Sequence, residues 1–153
     1  MKQIDVDIRR ALASDWPAWA RLRRALWADC DTDLAELQQL LEDAGGTVLL
    51  AFAQGQPVGM AEASLRHDYV NGNSSSPVGF LEGWYVTESL RDKGIGRALV
   101  AEVARWARAQ GCSELASDTG LDNVQAQAAH KASGFVETER VVYYRMGLDA
   151  PAT

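Results

Sequence analysis

Cysteine is scarce. Cys30 and Cys112 are the only two in 153 residues, no C-x-x-C pair occurs, and histidine is equally rare. That excludes a disulfide scaffold and the common zinc spacings, so both thiols are expected free and no metal is expected. Long apolar runs are missing too. No stretch approaches the ~18 apolar residues of a membrane span, and residues 1–7 lack the apolar core of a signal peptide. A soluble, cytoplasmic protein without a membrane partner is the expectation. Positive charge is in deficit, with 15 Lys and Arg against 21 Asp and Glu and a formal net charge of −6. Nucleic-acid binding needs a basic surface to neutralise phosphates, so that class of partner is not expected and a cationic one fits better.

What is present suffices for one globular domain: the chain is 47% hydrophobic and 24% charged, with no internal repeat or linker composition. A single domain over residues 1–148 is expected, with 149–153 a frayed tail. Residues 4–9 alternate like a half-buried strand. Ser14 or Asp15 then caps a helix with Pro17 in its first turn, running to about Trp27 with Trp16, Trp19, Leu22 and Leu26 three or four apart. The cluster Asp31-Thr32-Asp33 opens a second helix bearing Leu34, Leu37 and Leu41, and Gly45-Gly46 stops it. Strands are expected at 47–53 and 58–65, joined antiparallel by the turn Gln54-Gly55-Gln56-Pro57. Residues 67–77 are a long polar loop, a kind of segment that is often functional. A strand at 79–86, a helix from Gly96 to Gln110 burying Leu99, Val103 and Trp106, a strand at 113–117 and a helix over 122–132 follow. Two closing strands, 135–138 and 141–146, end the reading. The order defines an α/β (α+β) fold with a mixed, mostly antiparallel sheet and a central β-α-β crossover.

Within the crossover, Arg91-Asp92-Lys93-Gly94-Ile95-Gly96 falls between a strand and a helix start. Backbone N–H groups there lack intrahelical partners and the helix dipole is positive, which makes an anion site. Glycine keeps Cβ atoms away from those amides, and Arg91, Lys93 and Arg97 add charge. The amides of Ile95, Gly96, Arg97 and Ala98 are the expected donors.

The spacing Arg91-x-x-Gly94-x-Gly96 resembles the R/Q-x-x-G-x-G/A signature of the GNAT superfamily of acyl-CoA N-acyltransferases, and Asn123-x-x-Ala126-(x)6-Ser133-Gly134-Phe135 resembles its next block. The resemblance implies a twisted sheet with helices on both faces. It also implies acetyl-CoA as cosubstrate, its pyrophosphate on the glycine turn, and pantetheine paired along Trp84, Tyr85 and Val86 and contacted by Asn123. A closer resemblance, to the aminoglycoside 6′-N-acetyltransferases, runs through Arg23-Arg24-Ala25-Leu26-Trp27, Arg66-His67-Asp68-Tyr69-Val70-Asn71-Gly72, Phe80-Leu81-Glu82-Gly83-Trp84-Tyr85-Val86, Ala116-Ser117-Asp118-Thr119 and residues 134–141. It implies Trp27, Tyr69, Glu82, Asp118 and Glu139 as holders of a polycationic aminoglycoside, and a homodimer in which the Tyr69 loop reaches a neighbour's site. The chemistry agrees, because carboxylates pair ammonium groups while aromatics cover sugar faces.

Acetyl transfer to an amine needs a proton acceptor, oxyanion stabilisation and a proton for the departing thiolate. Asp118 or Glu82 is the candidate base. Both acids fall near the ends of core strands, where an unpaired buried carboxylate is costly enough to suggest function. A backbone N–H near Val86 is the candidate oxyanion donor. Tyr144, which matches a tyrosine in the family's last strand, is the candidate thiolate acid. His130 stands where many GNAT enzymes carry tyrosine and is assigned to packing, as is Cys112. Two alternatives remain open at this point: the same chemistry on a polyamine or peptide N-terminus, favoured by Asn73 and Trp84 where the family more often has Cys and Ile, and a non-catalytic acetyl-CoA-binding module.

Overall fold

The computed structural model describes residues 4–29 and 32–149. Cys30 and Asp31 therefore lie outside the described residues, as does the expected frayed tail apart from Asp149. Strand β1 (Asp7–Arg10) leads through a 3-10 turn at Ala13–Asp15 into helix α1 (Trp16–Leu26), with proline in its first turn. Trp19 and Leu22 of α1 are buried while Trp16 stays exposed. Helix α2 (Leu34–Glu42) is capped by the Asp33 carboxylate, which accepts from Glu36 N–H. It ends at Asp43, ahead of the expected glycines, and Gly46 already belongs to the next strand.

Strands β2 (Gly46–Ala53) and β3 (Gln56–Arg66) form the expected antiparallel hairpin. Its two turn residues, Gln54 and Gly55, take φ of 50° and 78°, the left-handed pair that matches strand twist in a tight hairpin. β3 pairs antiparallel with β4 (Val78–Val86), and helix α3 (Ile95–Ala109) carries the chain over to β5 (Leu115–Ser117), parallel to β4. Helix α4 (Val124–Ala132) comes last. The five-stranded sheet runs in order β1-β2-β3-β4-β5, so the mixed, mostly antiparallel sheet and its β-α-β unit are as expected.

Strand alternation divides two cores. Ala61 and Leu81 face α3, where Ile95, Leu99 and Val103 are fully enclosed with Trp106 at the margin. Val48, Leu50 and Met60 face the other way, onto Trp19, Leu22 and Leu37 of α1 and α2. Each of the Val, Leu, Ile and Met side chains among them contributes about 1.5–3 kcal/mol by leaving water.

The two closing strands are a correction. Residues 135–149 form no strand in the single chain, and Val136, Val142, Tyr143, Tyr144, Met146 and Leu148 are exposed. The alternation that suggested strands is real, but a strand exists only where a ladder partner accepts its N–H and C=O groups, and β5 is the last paired strand on this side of the sheet.

Candidate active site

The sheet opens where β4 and β5 part. Their last paired residues are Leu81 and Ser117, whereas β4 continues to Val86. On the β3 side, Thr87 N–H donates to Val58 C=O and Met60 stands opposite Tyr85. Antiparallel pairs alternate, so the polar groups of Trp84 and Val86 turn away from β3, toward the opening. The Val86 carbonyl there accepts from Arg91 Nε at 2.9 Å, while the Val86 N–H and the Trp84 backbone line the open edge.

At the head of that edge, Gly94 takes φ 91° and serves as N-cap of α3. Ala98 N–H is already bonded to Gly94 C=O at 3.0 Å, so Ala98 drops out of the expected donors and the free turn consists of Ile95, Gly96 and Arg97. Gly96 meets a second constraint beyond anion approach. The Trp84 indole donates to Gly96 C=O at 3.2 Å, and a Cβ on Gly96 would stand 3.0 Å from Trp84 Cζ2. Arg91 is fixed by the Val86 carbonyl and lies 5.3 Å from the Tyr85 ring centre, so it braces the turn and adds charge to it. The turn fits a pyrophosphate: three amides at a helix N-terminus, no Cβ in the way, and Arg91, Lys93 and Arg97 around it.

On the far side of the opening, α4 stands with no buried residue. Asn123 caps it, its Oδ1 accepting from Ala126 N–H at 3.0 Å; the cap uses the oxygen and not the amide NH₂. His130 sits at the vertex. Its Nδ1 is 2.7 Å from Ala126 C=O, which can only accept, so Nδ1 carries the proton. Its Nε2 lies 2.9 Å from Ser117 Oγ, and that hydroxyl is also 3.3 Å from Leu81 C=O. Trp84 and Phe135 pack against the ring at centroid distances of 5.1 and 5.2 Å.

The acceptor candidates fall into two groups. Glu82 and Asp118 each follow the last pair of their strands, Leu81 and Ser117, and so flank the vertex. Neither is buried, which overturns the burial argument made for them. A bulge leaves Glu82 without a partner in the β3 register, between Leu81 opposite Ala63 and Gly83 opposite Glu62. Its carboxylate is gripped by Arg66, through Nε at 3.2 Å and Nη2 at 2.8 Å to Oε1, and by Ser64 Oγ at 2.7 Å. Trp27 lies across Gly83, where a Cβ would stand 2.8 Å from Trp27 Cζ2. Asp118 and Glu139 line a cavity of about 600 Å³ with Thr119, His130 and the 135–143 segment. Tyr69 is exposed on its loop and Tyr144 is 92% exposed.

The buried acid of this region is one that the sequence reading missed. Glu62, 6% exposed, accepts from Trp19 Nε1 at 2.9 Å. Arg23 Nε lies 2.9 Å from Glu62 Oε2, an ion pair by distance, yet its N–H is not aligned on the oxygen and finds no acceptor among the described residues. Burial raises the Glu62 pKa above the ordinary carboxylate value, with the Trp19 hydrogen bond and the Arg23 charge pulling the other way. Arg23 in turn lies under the Trp27 ring, 5.1 Å from its centre. The signal was parity: Glu62 shares a strand face with the buried Met60. Glu114 was missed as well. It accepts from Ser74 and Ser75 N–H and from the Ser75 hydroxyl, anchoring the 67–77 loop, and these bonds, the hydroxyl first, lower its pKa. Among the described residues no three potential ligands cluster to hold a metal, and no helix is long and apolar enough to cross a membrane.

A splayed parallel pair, a glycine-bearing helix N-terminus at its head and carboxylates at its vertex define an acyltransferase site. The acetyltransferase (GNAT) family profile matches residues 6–135, and the chain belongs to that family. An aminoglycoside N(6′)-acetyltransferase type 1 of Stenotrophomonas maltophilia is 59% identical over 146 residues, 95% of each chain. The enzyme of the same name from Salmonella typhimurium is 44% identical, covering 92% of this chain and 98% of its own. Among solved structures, the aminoglycoside 6′-N-acetyltransferase AAC(6′)-Ih of Acinetobacter baumannii superposes with a TM-score of 0.89 at 43% identity, covering 94% and 99% of the two chains. AAC(6′)-Iy, solved with the bisubstrate analog CoA-S-monomethyl-acetylneamine, superposes at 0.87 with 43% identity and the same coverage.

Proposed function

We propose that this protein is an acetyl-CoA-dependent aminoglycoside 6′-N-acetyltransferase, acting in the cytoplasm as a homodimer and conferring aminoglycoside resistance. The observation that carries the reading is the open β4 edge, bordered at its head by the glycine turn and at its vertex by Glu82 and Asp118. Acetyl-CoA, when bound, supplies the thioester whose acetyl group is transferred. The amides of Ile95, Gly96 and Arg97 hold the pyrophosphate, the Trp84–Val86 edge pairs with the pantetheine arm, and Asn123 meets it from α4. Val86 N–H is the donor to the developing oxyanion. Asp118 or Glu82 takes the amine proton, while Trp27, Tyr69 and Glu139 with these acids hold the polycation.

The thiolate proton has two candidate sources. Tyr144, exposed in the single chain, serves only through a second copy, whereas His130, beside Ser117 in the chain's own cleft, serves once its Nε2 is protonated as well. The exposed apolar segment 136–148 supports the dimer, since single chains rarely leave such a stretch uncovered. The net charge of −6 favours encounter with a polycation.

Thiol release measured across kanamycin-type aminoglycosides, polyamines and peptide N-termini tests the reading. Fast turnover of the aminoglycosides is expected. Equal or faster turnover of polyamines would assign another amine, and acetyl-CoA binding without transfer to any amine would leave a binding module.

A further inference from the structure

We infer that Arg66 is a resident counter-ion, a guanidinium that occupies the Glu82 carboxylate until an ammonium group of the acceptor displaces it. The inference rests on the aminoglycoside reading of the same site. Two arginine–glutamate pairs lie side by side on this face, and they differ in kind. Arg23 and Glu62 are both enclosed, with side chains 9% and 7% exposed, so neither can leave without stranding a buried charge. Arg66 and Glu82 stand half in water, at 43% and 34%, where an ion pair exchanges partners at little cost.

The geometry gives the exchange a direction. Glu82 Oε1 accepts from Arg66 Nε and Nη2 and from Ser64 Oγ, and Oε2 from Arg66 Nη2 at 3.0 Å. With Arg66 in place, Oε1 is filled and a substrate ammonium finds only the second lone pair of Oε2. Ser64 stays behind on β3 when Arg66 moves, so the carboxylate keeps a neutral donor and its orientation. The guanidinium already rests on another partner, with Cζ 3.5 Å from the centre of the Phe80 ring, and that face holds the cation without Glu82. Arg66 is the last residue of β3, and the loop bearing Tyr69 starts with the next residue, so the exchange takes place at the root of an acceptor-side loop. A ligand with several ammonium groups can replace the guanidinium at Glu82 while its other charges meet the remaining acids. A monoamine must displace Arg66 without that support. Arg66 thereby selects for polyvalent cations.

Arg66→Met keeps an apolar stem over Phe80 and removes the charge. The expected result is a KM for kanamycin lowered roughly fivefold, the scale of one exposed ion pair, together with improved kcat/KM for simple primary monoamines. Arg66→Lys should stay near the parent, and in a Glu82→Gln background Arg66→Met should have no effect on KM. A structure with bound aminoglycoside should show Arg66 beyond ion-pair distance of Glu82. A raised KM in Arg66→Met, or an intact Arg66–Glu82 contact beside the bound ligand, would overturn the inference and leave Arg66 as a residue that positions Glu82. Failure of the parent enzyme to acetylate kanamycin is a separate outcome and strikes the functional reading. The exchange is then read by calorimetry with spermine, which should bind Arg66→Met more tightly than the parent; equal or weaker binding overturns it.

Discussion

Trp27 has no acceptor-site geometry of its own; it inherits one from its neighbours. Gly83 gives it a floor without a side chain, and Arg23, held beside Glu62, lies under its ring. Gly83→Ala should therefore tilt the indole and raise the acceptor KM about fivefold, the scale of about 1 kcal/mol of lost aromatic–cation contact. Acetyl-CoA affinity should not change, because the glycine turn lies beyond β4, at the head of α3. Steady-state kinetics with each substrate varied in turn would check this, and a matched loss of acetyl-CoA affinity would refute it. Arg23→Met should be more severe, about 3 kcal/mol or more of folding stability, since it leaves Glu62 buried and unpaired. Glu62 also sets a pH dependence. Burial raises its folded pKa, so the folded chain retains a proton over a range where the unfolded chain has released it. Stability therefore falls as pH rises from the ordinary glutamate value through the raised one, and levels off beyond it. Glu62→Gln should remove that slope from urea midpoints measured across the pH series, and an unchanged slope would assign it to another group.

Elements were legible where their signals are local. The hairpin turn, Pro17 in the first turn of α1, the Asp33 cap and the apolar spacing of α3 all act within a few residues of where they are written, and the elements they define formed within a residue or three of their expected bounds. What escaped depends on register. The bulge beside Glu82 and its cross-strand meeting with Arg66 follow from how β3 slides on β4, and the meeting of Glu62 with Arg23 from how α1 packs on the β3 face, neither of which a short window of sequence encodes. Ala98 was misassigned for a smaller reason of the same sort: the cap is Gly94, one residue earlier than expected, and this moved the free amides by one. Asn123 illustrates an element-level role that a motif conceals. Besides the pantetheine contact proposed for it, it caps α4, a helix with no buried residue to hold it. Asn123→Ala should cost about 1 kcal/mol, read as a melting temperature lower by about 2–4 °C for a domain of this size. Asn123→Asp, which retains the cap, should restore the melting temperature while still lacking the NH₂ donor, so acetyl-CoA affinity should remain impaired. Recovery of both together would mean that Asn123 acts through the cap alone.

The whole molecule leaves one stretch unexplained as a single chain. Beyond α4, alternating apolar residues run through 136–148 with Val142 66% and Met146 82% exposed, although a strand pattern of this kind is stable only when a ladder and a covering face are supplied. The sequence expected two strands here because the side-chain pattern is a strand's; the single chain lacks their partner. A second copy can supply it, and Tyr144, 92% exposed in the single chain, serves catalysis only if such a contact forms. The two explanations of the segment separate under substitution. If it stays in solvent, Val142→Glu with Met146→Glu adds charge to an exposed stretch and should change neither mass nor activity. If it is the dimer contact, the same pair places two carboxylates in a desolvated interface, and light scattering should show the mass fall from two chains to one. The latter is expected, accompanied by a loss of kcat beyond any change in acetyl-CoA affinity, because the glycine turn and the β4 edge are complete within one chain. A parent protein that runs as a monomer, or a double variant that keeps the dimer mass, would refute the contact and confine catalysis to residues of a single copy, with His130 as the remaining candidate for protonating the thiolate.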